Sequence, residues 1–420
     1  MNKYWFLLPL AAALLAGCHA SPEQGTQPPA APAPAAPATL MAPAVTRPAA
    51  PVGPVYAGYR RYRGTVGGLP VTLELTIAAP VGSDSVRCEG SYTYDRHPTG
   101  QLLLLASRPW RPQQPLQLTE AEGAQPRTAT GRWQATQPAG PRLTGIWTSP
   151  AGQQLPFELR EDYTDGRGHL LAVGYEILNN SVVLPCRPER GDNETKTEYQ
   201  ERLENSPNGY DLQFLHLLGP DTLRPGVRAV QCPPPRGRRQ VVRAAARENG
   251  CNYHGETLQV DYNNYGLLAC RHHWEDDMGV ARPGHGTSAT VFDLRSGEVV
   301  ALAEVMRPGT DSLLRRLLTR HLLDGSTPDI TPKPGLTLAD GLLPLPGGED
   351  SSLADFSLTD EGLTFGYYFD EVDEFVDGGS LLFAVVVPYR ELLPLLRPAS
   401  PVARMLRERG LWRPAPPARP

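Results

Sequence analysis

Between residues 71 and 77, Val71, Leu73, Leu75 and Ile77 are apolar, and the intervening Thr72, Glu74 and Thr76 are polar. That is the period-two pattern of a half-buried strand. Similar short segments follow at residues 90–94, 101–106, 116–120, 128–135, 143–148 and 155–160, with turn residues between them at roughly ten-residue spacing. The pattern predicts an antiparallel meander of about seven or eight strands over residues 56–165, closed or partly closed as a β-barrel. Trp133, Trp147, Tyr92 and Tyr94 either fill the core of such a barrel or line a ligand cavity within it.

Beyond residue 166 strands and helices mix. Residues 170–177 and 182–184 read as two strands joined by an Asn179-Asn180 turn, and residues 194–203 as a charged, exposed helix. Residues 238–249 read as a second helix ended by Gly250. Two hairpins follow, one turning at Asn263-Asn264-Tyr265-Gly266 and one at Ser296-Gly297. Leu314, Leu317, Leu318 and Leu322 mark one face of an amphipathic helix that Asp311 can cap and Gly325 stops. Residues 326–350 are rich in Pro and Gly and predict loop. The last strands are expected at 356–358, 363–369 and 381–387, the third reading as buried on both faces, with a helical turn at 391–396. With several hairpins among the helices, residues 166–397 predict a mixed α+β domain, and residues 398–420 a C-terminal helix and tail.

The N-terminus changes the picture. Lys3 precedes an apolar run over residues 5–15, below the roughly 20 residues that span a bilayer as a helix but suited to a signal-peptide core. Leu15-Ala16-Gly17-Cys18 resembles the lipobox of bacterial lipoproteins, which implies cleavage after residue 17 and lipidation of Cys18. Acyl chains at Cys18 would tether the chain to a membrane without spanning it. His19 rather than Asp after the cysteine implies, by the same resemblance, the outer membrane of a Gram-negative cell envelope. The 45 prolines concentrate just beyond: residues 21–55 hold ten Pro and ten Ala. Such a segment buries too little apolar surface to order itself, so residues 18–55 are expected to form a disordered, extended tether.

The chain of 420 residues has a formal net charge of −5 and a pI near 6.0, so it presents no field that would gather nucleic acid. Apolar content of 40% fits globular domains. Cys88 falls in the β meander, where it is expected to be a buried small hydrophobe. An exported chain permits disulfides, and Cys186, Cys232, Cys251 and Cys270 are the candidates, with three pairings open. None has zinc-ligand spacing.

The stretch 356–396, with its Val387-Pro388-Tyr389 close, resembles the C-terminal part of the RsiV-like extracytoplasmic domain of some anti-sigma factors and some peptidoglycan deacetylases. Further back, Gly266-Leu267-Leu268-Ala269, Pro283-Gly284-His285-Gly286 and Phe292-Asp293-Leu294-Arg295-Ser296-Gly297 follow the order of that domain. The Gly-Gly-Ala-His turn of the family is only partly kept, and residues 370–374 depart from the pattern. In the anti-sigma members this module recognises lysozyme, a basic protein. The resemblance therefore implies a non-enzymatic module that binds a lysozyme-like protein or a cell-wall component. The acidic residues Asp370, Glu371, Asp373, Glu374 and Asp377 are the expected contact by charge complementarity.

Other chemistry is thinly represented. His272 and His273 alternate faces if 267–274 is a strand, so at most one could join His285 and a carboxylate around a metal, which makes His272 with His285 the weak alternative to a solvated hairpin end. The residues 370–377 lack the spacing of a calcium loop. No G-x-S-x-G, P-loop or Cys/His dyad is present, and no cofactor is implied. The enzymatic alternative is a glycan-acting protein using two carboxylates of the second domain across one cleft; a purely structural envelope scaffold is the third.

Overall fold

The alternation in the N-terminal half is realised as strands β1 (Val55–Val66), β2 (Leu69–Ala78), β3 (Arg87–Tyr94), β4 (His97–Ala106), β5 (Gln117–Glu122), β6 (Ala129–Ala135), β7 (Arg142–Thr148) and β8 (Gln154–Glu161). The computed structural model describes residues 55–78, 87–95, 97–106, 114–122, 129–183, 190–205, 209–218, 253–277, 284–327, 330–346, 355–379 and 382–412. The expected signal and tether, Cys18, the helix at 238–249, and Cys186, Cys232 and Cys251 lie outside these residues. Each of the eight strands pairs antiparallel with the next. Val71, Leu73, Leu75 and Ile77 all point inward, joined by Tyr62, Tyr92, Trp133, Leu143, Phe157 and Leu159 in one core.

The chain continues through β9 (Tyr175–Val183), α1 (Lys196–Asn205), β10 (Gly209–Leu217), β11 (Tyr253–Asn264), β12 (Leu267–Asp277), β13 (Gly284–Asp293) and β14 (Glu298–Val299). Asn179 and Asn180 do not turn: β9 runs straight through them, because they pair with Gln213 and Leu212 of β10. The β11–β12 hairpin turns as expected, with Tyr265 (φ 51°) and Gly266 (φ 74°) in the left-handed region that a tight two-residue turn requires.

The expected architecture of an N-terminal barrel followed by a separate α+β domain is not the one observed. β1 is shared. Its C-terminal half, Tyr62–Val66, pairs with β8, while its N-terminal end, from Val55 to Tyr59, pairs with β9. The first eight strands are therefore not a self-contained barrel but one lobe of a fourteen-stranded sheet that runs on through β9 and β10 to β14. The sheet is mixed, since β10 and β11 are parallel. With 51% strand against 15% helix among the described residues, the class is mostly β rather than α+β. A pattern of alternating positions shows which residues face inward, but not which neighbour takes each half of a long strand.

A second layer forms from α2 (Leu302–Val305), α3 (Asp311–Leu323), β15 (Ile330–Pro332), β16 (Ser357–Leu358), β17 (Gly362–Tyr368), a 3₁₀ turn (Phe369–Glu371), β18 (Val376–Gly379), β19 (Leu382–Pro388), α4 (Tyr389–Leu392) and α5 (Pro401–Glu408). Strands β16, β17 and β19 make one small antiparallel sheet and β15 with β18 another. Leu314, Leu318 and Leu322 of α3 enter the same core as Phe365, Tyr367, Val385 and Val387. Asp311 is the first residue of α3 rather than its cap, which is Thr310. In β19 Phe383, Val385 and Val387 are buried while Leu382, Ala384 and Val386 are half-buried, so one face is covered completely and the other in part.

Candidate functional site

The acidic residues 370–377 run from the 3₁₀ turn after β17 into the start of β18, where Asp377 is the second residue. Val372, Phe375 and Val376 point into the core, which forces Glu371, Asp373, Glu374 and Asp377 outward. Glu371 caps the 3₁₀ turn locally, accepting from the backbone N–H of Tyr368 at 2.9 Å. Asp373, Glu374 and Asp377 carry exposed charge on a turn anchored by three apolar side chains. That arrangement can offer carboxylates to a cation without first ordering a loop.

His272 and His285 are not brought together. In the β12–β13 ladder His272 pairs with Ser288 and His285 with Glu275. The two histidines are three rungs apart, about 10 Å, and on opposite faces of the sheet. The His285 ring packs on Tyr368 with centroids 4.5 Å apart, against the second layer. His273, on that same covered face, has a pKa pushed down by burial and by the Arg271 charge. Among the described residues no three His, Cys, Asp or Glu side chains are placed to hold a metal ion.

His272 instead belongs to a cluster built on β11 and β12. His254 donates through Nδ1 to Asp276 at 2.5 Å and through Nε2 to Glu256 at 2.9 Å. His272 Nε2 lies 3.6 Å from the other Glu256 oxygen, and the Tyr210 ring packs beside His254. Burial opposes the charged form of His254, but the bonds to Asp276 and Glu256 outweigh it and push its pKa up to about 9. Burial likewise opposes ionised Glu256, and the His254 bond with the His272 charge overcomes it and lowers its pKa. The period-two order His254, Glu256, Leu258 was the signal in the sequence that all three share one face.

Cys88 and Cys270 are buried free thiols, each pushed up to about 12 by burial. The four aromatics named from the sequence do gather in the N-terminal lobe. Three of them, Tyr92, Trp133 and Trp147, surround a carboxylate, and Tyr94 packs edge-on against Tyr92. Glu120, 3% exposed, accepts at Oε2 from Tyr92 Oη (2.8 Å), Trp133 Nε1 (3.1 Å) and Trp147 Nε1 (2.7 Å), and at Oε1 from Thr130 Oγ1 (2.9 Å). The Trp147 indole lies over Gly131, where a Cβ would meet Nε1 at 2.4 Å, so a glycine at 131 is what admits the ring.

A depression of about 430 Å³ is lined by Asp293, Glu298, Glu304, Arg397 and Ser400 among others. Asp293 is committed there. Arg404 donates to both its oxygens, at 2.9 and 2.8 Å. Burial opposes its charge, but these bonds hold its pKa below the ordinary range. Glu304 in turn accepts from the Ala301 backbone at 3.3 Å.

Taken together, the fold and these surfaces define a mostly β protein with a long mixed sheet backed by a helical layer. No family model and no curated protein matches the chain. Its structural neighbours are DUF3298 family proteins. One, from Bacteroides fragilis NCTC 9343, aligns with a TM-score of 0.37 at 15% identity over 56% of this chain and 98% of its own. Another, from Pseudomonas aeruginosa PAO1, aligns with a TM-score of 0.32 at 14% identity over 54% of this chain and 95% of its own. Among the described residues no helix is long and apolar enough to cross a membrane.

Proposed function

We propose that this chain is a lipid-anchored, non-enzymatic binding protein of the cell envelope. Cys18 carries the lipid, the residues between it and β1 form the tether, and the acidic turn engages a cationic extracytoplasmic protein of lysozyme type. The carrying observation is the turn itself: Glu371, Asp373, Glu374 and Asp377 are exposed on a segment whose Val372, Phe375 and Val376 are buried. Fixed exposed carboxylates speed and orient encounter with a basic partner, and their contribution falls as salt screens it.

The test is calorimetric titration of the full chain with lysozyme at low and physiological salt, beside a pull-down on peptidoglycan. Binding that weakens with salt and is lost in the D373N/E374Q/D377N variant supports the reading. Failure of both lysozyme and peptidoglycan to bind removes it. Palmitate incorporation that disappears in C18A tests the anchor separately. The enzymatic alternative has its best location in the depression beside Asp293. Release of reducing ends from peptidoglycan, abolished by E298Q or E304Q, would favour it.

A further inference from the structure

The sheet face opposite the second layer carries a feature that the acidic turn does not explain. Three adjacent strands place nine residues there in a grid. Leu258, His272 and Ser288 form one row, Glu256, Trp274 and Gly286 the next, and His254, Asp276 and Gly284 the third. Neighbouring rows are about 7 Å apart and neighbouring strands about 4.8 Å. Trp274 occupies the centre and is 37% exposed.

Its indole lies flat towards β13. A Cβ built on Gly286 would meet the ring at 2.1 to 2.3 Å, and one on Gly284 comes within 3.6 Å of Cζ3. Neither glycine has the left-handed φ that would call for glycine on backbone grounds. Gly286 is therefore side-chain-free for the sake of the ring, which is seated on the strand with surface left to solvent. Beside the ring's rung stand Glu256 of β11 and Asp276 of β12, both held in orientation by His254 between them. A flat aromatic surface bordered by pre-oriented acceptors is the arrangement that suits a pyranose: its C–H face lies on the indole while its hydroxyls donate to the carboxylates' remaining lone pairs.

We infer that the face of β11, β12 and β13 centred on Trp274 is a binding platform for a neutral saccharide. The hydrogen-bonding groups nearest the ring are the Glu256 and Asp276 carboxylates, which accept from sugar hydroxyls and repel a sugar carboxylate, so uronates and other anionic sugars are disfavoured. One ring edged by ionic groups is far smaller than the ~800 Å² that each partner buries in a stable protein interface, which argues against a protein occupant. The platform is independent of the acidic turn, and the two stand or fall separately.

The full chain is titrated calorimetrically with chitotetraose, cellotetraose and oligogalacturonate. The expected result is binding of at least one neutral probe with a Kd below about 1 mM. W274A should weaken it by about tenfold or more, the loss of one aromatic contact. G286V should do the same by lifting an intact Trp274, W274F should fall between, and D373N/E374Q should bind as the natural chain does. Unchanged melting temperatures show that each variant is folded. No binding of either neutral probe, tighter binding of oligogalacturonate, or natural affinity in both W274A and G286V overturns the inference.

Discussion

Arg60 donates Nη2 to Glu176 of β9 at 2.6 Å and Nη1 to Glu161 of β8. It does so just where β1 leaves one neighbour for the other, since Tyr59 is the last residue paired with β9 and Tyr62 the first paired with β8. One guanidinium thus ties the three strands together at their branch point. All three side chains are about nine-tenths buried.

Replacing Arg60 by Leu strands two buried carboxylates and is expected to lower stability by roughly 3–5 kcal/mol. Arg60→Lys, with no fork to reach both, should fall in between. Urea unfolding at neutral pH measures this, and a loss below about 1 kcal/mol for Arg60→Leu would contradict the clamp.

Glu120→Ala leaves Tyr92, Trp133 and Trp147 with buried donors and no acceptor, a loss of roughly 2–4 kcal/mol. Glu120→Gln keeps one acceptor oxygen but turns N–H groups toward the indoles, so it should recover little. Near-ultraviolet circular dichroism of the two tryptophans reports whether their packing loosens in step.

The His254 pKa rises from 6.5 to about 9 on folding, so its imidazolium favours the folded state. The stabilisation is complete below the unfolded value and disappears as pH rises through the folded one. It amounts to at most about 3 kcal/mol. The difference in unfolding free energy between the natural chain and His254→Asn should shrink steadily from pH 7 to above pH 9. A difference that stays flat across that range would show that Asp276 and Glu256 do not hold the charge.

Thiol reagents should leave Cys88 and Cys270 unmodified in the folded chain at pH 8, since burial keeps both as thiols. Peptide mapping after brief labelling, with and without urea, gives the answer residue by residue.

Much of the lobe was legible from the sequence because alternation directly encodes which side chains face inward, as Val71 to Ile77 show. Glu120 was missed for want of one further step: Leu116 and Leu118 point inward, and the same parity carries the carboxylate in among the aromatics. The Asn179-Asn180 pair was misread because local turn preference yields to a ladder with β10, a partner some thirty residues away that no window contains. The separation of His272 from His285 follows from counting rungs, which requires the register that only the paired strands supply. The hand-over in β1 had no local signal at all, since its two partners lie about a hundred residues downstream.

The sharing of β1 also bears on mechanics. A pull applied at the N-terminal end of the described chain enters through Val55 and runs along a strand hydrogen-bonded to β2 on one side and to β9 and then β8 on the other. Tension along such a strand loads many ladder bonds at once in shear instead of opening them one by one. A protein held by that end and drawn by a partner at its far layer would meet the strain first at a strand that is bonded to three others.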